Sequence, residues 1–334
     1  MAERPIIICT RGSALALAQS NMIAAMCRAA CPELQFELKI IKTTGDKLQK
    51  ASMAKEGDKA AALPKGLFTK ELEVAMLAGE ADFAVHSLKD LPTDLPDGLI
   101  LAATPQREDV RDVLIYRDDA FLKGKTPASP GAWRGYGAHL TLKDLAPGAT
   151  IATSSTRRKM SLLAVRPDLN IVEIRGNVAT RMQKVADRGE WDATILALAG
   201  MKRLNFALNP DGTIHGESVP PGMLATVLSL DEMLPCVGQA AIGIEARAND
   251  ARVLKVCEKL NHLPTFQAVT AERAFLKGMG GGCQSPVGAY AQIHGGQISL
   301  QAISFREAVI KRGSAQRPVA EAAQLGTQIA EELK

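Results

Sequence analysis

A lysine and an aspartate stand side by side, Lys89-Asp90, in the stretch Asp82-Phe83-Ala84-Val85-His86-Ser87-Leu88-Lys89-Asp90-Leu91-Pro92. The apolar run 83–85 breaks there into an ionisable turn and then into proline. In open α/β folds, ligands are handled in loops just past the carboxyl ends of buried strands. A carboxylate in that place is suited to general acid–base work or to offsetting a transient cation. Its bland alternative is a structural salt bridge. Other cations fall at equivalent positions. Arg11 follows the first expected strand, Arg157 and Arg158 the one ending at Ala152, Arg175 the next, and Arg181 lies one turn into the helix after it. Arginine forks grip carboxylates and phosphates in bidentate fashion, and Ser154 and Ser155 add hydroxyls at a helix N-terminus, which favours anions. One such arginine would read as a solvated surface charge. Five cations at strand ends read as a cleft for a polyanion. Neither GxxxxGK[ST] nor a GxGxxG opening a helix is present, and no metal motif is seen. Cys283 follows the glycine run Gly280-Gly281-Gly282. Most lone cysteines are buried filler, but a thiol on such a turn is accessible to attachment chemistry.

The elements that must position these groups alternate. Residues 6–10 read as a buried strand, with Ser13 capping a helix through Leu15, Leu17, Ile23 and Met26. A strand at 38–42 follows, then a polar stretch, 47–64, expected to be a lid. Lys65-Gly66 opens a helix carrying Phe68, Leu72, Ala75 and Met76 and stopping at Gly79. Residues 117–148 read as a surface insertion. A second series begins beyond it: strands at 150–152, 170–174 and 193–198, with helices between them. This alternation predicts parallel sheets covered by helices. Residues 234–245 read as a strand-like return. A helix over 265–277 and a hairpin of strands 287–293 and 297–303 predict a small α+β third domain.

With 334 residues, the chain has room for two or three cores. A hydrophobic fraction of 46% and a charged fraction of 23% are those of a globular protein. A net charge of +4 with only 4% aromatics argues against nucleic acid. No signal peptide and no apolar stretch of about 18 residues is seen, so a cytoplasmic protein without membrane association is expected. Six cysteines lack zinc or disulfide spacing; Cys27 and Cys31, at i and i+4, read as buried thiols.

Several stretches together closely resemble the porphobilinogen deaminase (hydroxymethylbilane synthase) family. They are Lys65-Gly66-Leu67-Phe68-Thr69-Lys70-Glu71-Leu72-Glu73, Ala84-Val85-His86-Ser87-Leu88-Lys89-Asp90, Thr153-Ser154-Ser155-Thr156-Arg157-Arg158, Ile174-Arg175-Gly176-Asn177-Val178 and Gly281-Gly282-Cys283-Gln284. The resemblance spans nearly the whole chain. It implies an α/β protein of three domains, the first two similar to type II periplasmic binding proteins and the third a small α+β domain: 1–110 with 241–258, then 111–234, then 263–334. It implies a transferase, a monomer, that condenses four porphobilinogen molecules with loss of ammonia onto a dipyrromethane cofactor covalently attached through Cys283. Hydrolysis then releases hydroxymethylbilane. By the same resemblance Asp90, Lys89 and Arg11 are catalytic. Ser87, Lys89, Asp90, Thr153, Ser154, Ser155, Arg157, Arg158 and Gly200 hold the cofactor with Cys283. Arg11, Ser13, Lys65, Phe68, Arg175, Arg181 and Arg203 bind substrate. Each pyrrole unit brings two carboxylates, which the cations would answer. Ala240 departs from the family's usual glycine and Ala18 from its frequent tryptophan. Two rival classes remain: a solute-binding module, which leaves Cys283 idle, and a nucleic-acid binder, which the scarce aromatics oppose.

Overall fold

The computed structural model describes residues 4–45, 68–123, 133–282, 285–307 and 309–334. The chain divides into two compact units, one of Met1–Glu108, Cys236–Ser304 and Val309–Lys334, the other of Asp109–Pro235 and Phe305–Ala308. The expected loop at 47–64, Lys65 and Cys283 lie outside the described residues.

The first unit holds a five-stranded sheet in the order Phe36–Ile41, Ile6–Arg11, Phe83–Ser87, Ile242–Arg247, Leu99–Ala103. The first three strands are parallel, as the alternation of elements predicts. Ile242–Arg247 runs antiparallel to both neighbours, so the sheet is mixed. The strand enters from the turn 236–241 and not from a crossover helix, and a parallel neighbour would need such a crossover. Helix Ala14–Ala30 is capped by Ser13, whose Oγ accepts from the Ala16 N–H at 3.3 Å. It lays Ile23, Ala24 and Cys27 on the sheet. Cys27 and Cys31 are core thiols, and burial pushes Cys27 up to about 12. The next described helix, Lys70–Leu77, starts later than Lys65-Gly66 suggested, with Phe68 in the turn before it. Gly79 ends the segment in the left-handed region (φ +73°), where a side chain would be strained.

Also in this unit, helices Leu263–Gly278 and Ala322–Leu333 pack against an antiparallel sheet of Val287–His294, Gln297–Ser304 and Lys311–Pro318. The third strand and the last helix go beyond the sequence reading. Lys311–Pro318 is an edge strand whose one apolar contribution to the core is Ala315, so its sequence carries almost no hydrophobic alternation.

The second unit has a sheet ordered Met223–Val227, Asp112–Arg117, Ala193–Ala197, Thr150–Ala152, Asn170–Val172. Part of the supposed surface insertion is core. Its first residue, Arg117, ends the fully buried strand Asp112–Arg117, and its Leu140, Leu142 and Leu145 are buried with Tyr116 and Ile151. Glycine and proline around these leucines hid their role. Arg117 is buried too, donating to the carbonyls of Arg134, Val185, Arg188 and Trp191.

The turn into the return strand is strained at one point. Ala240 has φ +68°, beside Gly238 at φ +70°. Left-handed backbone costs a residue with a Cβ about 1–2 kcal/mol, offset in part because glycine frees the unfolded chain by about 0.4–1 kcal/mol. Ala240→Gly is therefore expected to raise the thermal midpoint slightly, by a net gain on the order of 0.5 kcal/mol. A lowered midpoint in a melting experiment would contradict the strain argument.

Candidate active site

Asp90 ends a 3-10 turn, Leu88–Asp90, that leaves strand Phe83–Ser87. The turn is seated from behind. The Leu88 N–H donates to the Ala241 carbonyl at 3.0 Å. A Cβ on Gly238 would stand 3.1 Å from Leu88 Cγ and 3.3 Å from the Lys89 nitrogen, so only glycine lets the two turns approach so closely. In a 3-10 turn successive side chains diverge by about 120°. Lys89 and Asp90 accordingly form no ion pair with each other, and the Asp90 carboxylate has no hydrogen-bonding or ionic partner among the described residues.

Asp90 borders a cavity lined also by Arg11, Ser13, Gln19, Phe68, His86 and Ser87. Of the sequence-predicted group, the structure thus brings together Arg11, Ser13, Phe68, Ser87 and Asp90. The Arg11 guanidinium lies 4.1 Å from the Phe68 ring centre, a cation–π contact that fixes the cation's reach. Ser87 Oγ donates to Gln19 Oε1 at 3.0 Å. Gln19 is 1% exposed, and its Nε2 has no hydrogen-bond partner among the described residues. A buried amide donor left unmatched on a cavity wall suits an incoming acceptor such as a carboxylate oxygen. The sequence reading missed Gln19; its signal is a glutamine on a helix face otherwise given to Ile23, Ala24 and Cys27.

The second unit's cations behave differently. Arg157 and Arg158, expected on a ligand, are 3% and 6% exposed and both reach Asp112, at 2.8 Å each. Arg157 also donates to the Leu234 carbonyl and Arg158 to that of Ile195. Burial alone would push the Asp112 carboxyl up, but the two guanidiniums overcome it and hold it far below the ordinary carboxylate range. Asp112 was not foreseen, although a lone acid before the run Val113–Tyr116 marks it. Ser155 Oγ caps helix Thr156–Val165 by accepting from the Arg158 N–H, and Ser154 Oγ donates to the Ile174 carbonyl at 2.7 Å. Thr153 accepts from the Ser155 N–H, and Gly200 lies in helix Leu198–Arg203. Arg175 stands 3.9 Å from Glu173, and Arg203 ends its helix, half-buried. Arg181 gives its Nε–H to the Gly176 carbonyl. Burial, helped by the Arg158 charge, lowers it to about 10. A desolvated cation beside another cation is a place where a carboxylate would be welcomed.

Among the described residues no cluster of three or more His, Cys, Asp or Glu is disposed to hold a metal, and no helix is long and apolar enough to cross a membrane. The fold is α/β, and its first unit presents a carboxylate, a guanidinium and an unmatched amide on one cavity. A family model described as porphobilinogen deaminase, dipyromethane cofactor binding domain, matches residues 6–255, and that of the porphobilinogen deaminase C-terminal domain matches 266–334. The chain belongs to the porphobilinogen deaminase family. It is 42% identical to the porphobilinogen deaminase of Chlorobium chlorochromatii (strain CaD3), over 99% of this chain and 95% of that one. With the porphobilinogen deaminase of Desulforudis audaxviator (strain MP104C) it shares 43% identity, over 90% and 84%. Among solved structures, the BenM effector binding domain with its effector benzoate aligns at 16% identity and TM-score 0.41, over 80% of this chain and 95% of that one, a likeness too slight to speak to function.

The Asp112 triad yields a test. Its folded carboxyl is depressed, so its stabilisation is present above the unfolded value, about 3.9, and is lost as pH falls through the folded one. Asp112→Asn leaves two buried guanidiniums without their counter-charge and is expected to cost about 3–5 kcal/mol near neutral pH. A urea midpoint unchanged from the wild type would show the triad to be energetically idle.

Proposed function

We propose that this enzyme is a hydroxymethylbilane synthase whose chemistry is organised around Asp90. It condenses four porphobilinogen molecules in turn, each with loss of ammonia, and hydrolyses the finished linear tetrapyrrole away as hydroxymethylbilane. The dipyrromethane cofactor, held as a thioether on Cys283, supplies the free pyrrole carbon from which the chain grows. The observation that carries the reading is the unpartnered carboxylate of Asp90 on a cavity that also presents Arg11 and the unmatched Gln19 amide.

The residues divide the work by charge. Loss of ammonia from a porphobilinogen unit leaves a cation conjugated with its pyrrole ring, which arginines alone would destabilise. The Asp90 carboxylate reverses the local sign and offers an acceptor to pyrrole N–H groups. Lys89 and Arg11, with Ser13 and Lys65, take the substrate's acetate and propionate, and Phe68 serves substrate binding by holding the Arg11 guanidinium. Arg175, Arg181 and Arg203 serve the acids of the lengthening chain, and the low exposure of Arg181 makes each such contact stronger than in water. Thr153, Ser154, Ser155, Arg157, Arg158 and Gly200, with Ser87, Lys89 and Asp90, hold the cofactor's acids and rings. For Arg157 and Arg158 the hold on Asp112 supports this by fixing their guanidiniums before any ligand arrives. A three-domain division at 1–110 with 241–258, 111–234 and 263–334, a monomeric state and a cytoplasmic location belong to the same reading.

Asp90→Asn keeps the side chain's size while removing the charge. It is expected to fold, to retain the cofactor and to lose ~10²–10³ in turnover, more if proton transfer fails as well. Ammonia release measured under saturating porphobilinogen checks this; near-wild-type rates would make Asp90 structural.

A further inference from the structure

His86 stands four residues before Asp90 and borders the same cavity. Its Nε2 lies 3.0 Å from Glu245 Oε2; the His86 side chain is almost sealed from water and that of Glu245 completely. Sheet register makes the pair. Gly243 lies opposite His86 and Glu245 opposite Ala84, so the two side chains share one face of neighbouring strands. Glu73, buried on helix Lys70–Leu77, senses them both. Burial raises its carboxyl; the Thr69 hydrogen bond and His86 oppose that rise, while the charge of Glu245 adds to it. Arg11 and Asp90 are the charged groups on the cavity side.

Core stability does not account for this arrangement. Buried ionisable pairs seldom outperform packed apolar ones, and Glu245 Oε1 has no hydrogen-bond partner among the described residues. Such a cost is characteristic of sites where chemistry is done. The carboxylate on Nε2 favours the tautomer with its proton there, and the Nδ1 lone pair remains as a base on the other side of the ring.

We infer that His86 is the base that takes the proton released in each condensation, and that Glu245 is the positioning residue that fixes its tautomer. The inference rests on the reading that condensation takes place beside Asp90. In that step the C–N bond of the incoming unit, whose amine is carried as ammonium, breaks, and ammonia leaves with the bonding pair. The α-carbon of the previously added pyrrole bonds to the methylene carbon. Its C–H bond then breaks, the electron pair restores the ring, and the proton passes to His86 Nδ1. The imidazolium returns that proton to the ammonia, which departs as ammonium. With the proton taken by the imidazole, the Asp90 carboxylate is left to face the cation.

The test uses porphobilinogen carrying deuterium at its free α-carbon, with the cofactor-loaded enzyme. His86→Gln keeps an N–H donor for Glu245 but accepts no proton. Turnover is expected to fall by ~10²-fold or more, and a primary isotope effect larger than the wild type's is expected to emerge, because C–H cleavage becomes limiting. Turnover close to wild type, or slow turnover with an unchanged isotope ratio, overturns the inference. Should His86→Gln fail to fold, Glu245→Gln is measured in the same way with the same expectations. Independently of activity, nitrogen-15 NMR of the five histidines is expected to show one ring held in the Nε2–H form that Glu245→Gln releases; a His86 proton resident on Nδ1 contradicts the assignment. A fully active Asp90→Asn would refute the site itself. An inactive Asp90→Asn with an isotope-silent His86→Gln would refute only the base.

Discussion

The turn that presents Asp90 depends on a guanidinium–carboxylate pair that lies away from it. Arg107 and Glu272 meet as a bidentate pair, at 2.6 and 3.0 Å, with Glu272 wholly buried. Each Glu272 oxygen also accepts a backbone N–H: Oε1 that of Ala291 and Oε2 that of Gly238. Arg107 Nε donates to the Gln239 carbonyl, and its guanidinium lies 5.5 Å from the Tyr290 ring centre. One ion pair thus joins helix Leu263–Gly278, strand Val287–His294 and the turn 236–241. That turn carries the Ala241 carbonyl on which Leu88 rests, and Leu88 begins the turn that ends at Asp90. A buried pair is stabilising only when its remaining donors and acceptors are satisfied, which this one achieves. Loss of either partner would strand a charge and loosen the seat of Asp90 together.

The same physics sets the second unit, with a different result. Asp112 offsets one of two arginine charges in the interior and holds both guanidiniums in place. Arg181 has no such carboxylate among the described residues; the charge that weighs on it is another arginine. The cations of this unit therefore differ: Arg157 and Arg158 share a carboxylate of the protein, whereas half-buried Arg181 faces another cation. Asp90 is the converse case, a carboxylate left without a partner among the described residues, on a cavity that also presents Arg11.

Much of this was legible in the residues themselves. The Ser13 cap, the buried strand before the Lys89-Asp90 turn and the βαβ alternation follow from local patterns, and the order of motifs carries the family. Three things were not legible. The direction of strand Ile242–Arg247 is set by where the chain re-enters the sheet, which no local pattern encodes. The leucines at 140, 142 and 145 sit among glycine and proline and lack a period. Partners distant in sequence, Asp112 for Arg157 and Arg158, Gln19 for Ser87 and Glu245 for His86, are chosen by packing. The arginines are legible in the sequence as charges; only the fold separates those that share a carboxylate of the protein from Arg181, which faces another cation.

The proposed chemistry requires a chain that grows covalently on the enzyme and depends on the Asp90 carboxylate. Intact mass spectrometry of the purified protein, before and after brief exposure to porphobilinogen, tests this most directly. The expected result is a polypeptide heavier than its sequence by one dipyrromethane, then a ladder of species each heavier by one substrate unit less ammonia, with the ladder absent in Asp90→Asn. A bare polypeptide mass that porphobilinogen leaves unchanged, in protein from cells able to make that substrate, would contradict it.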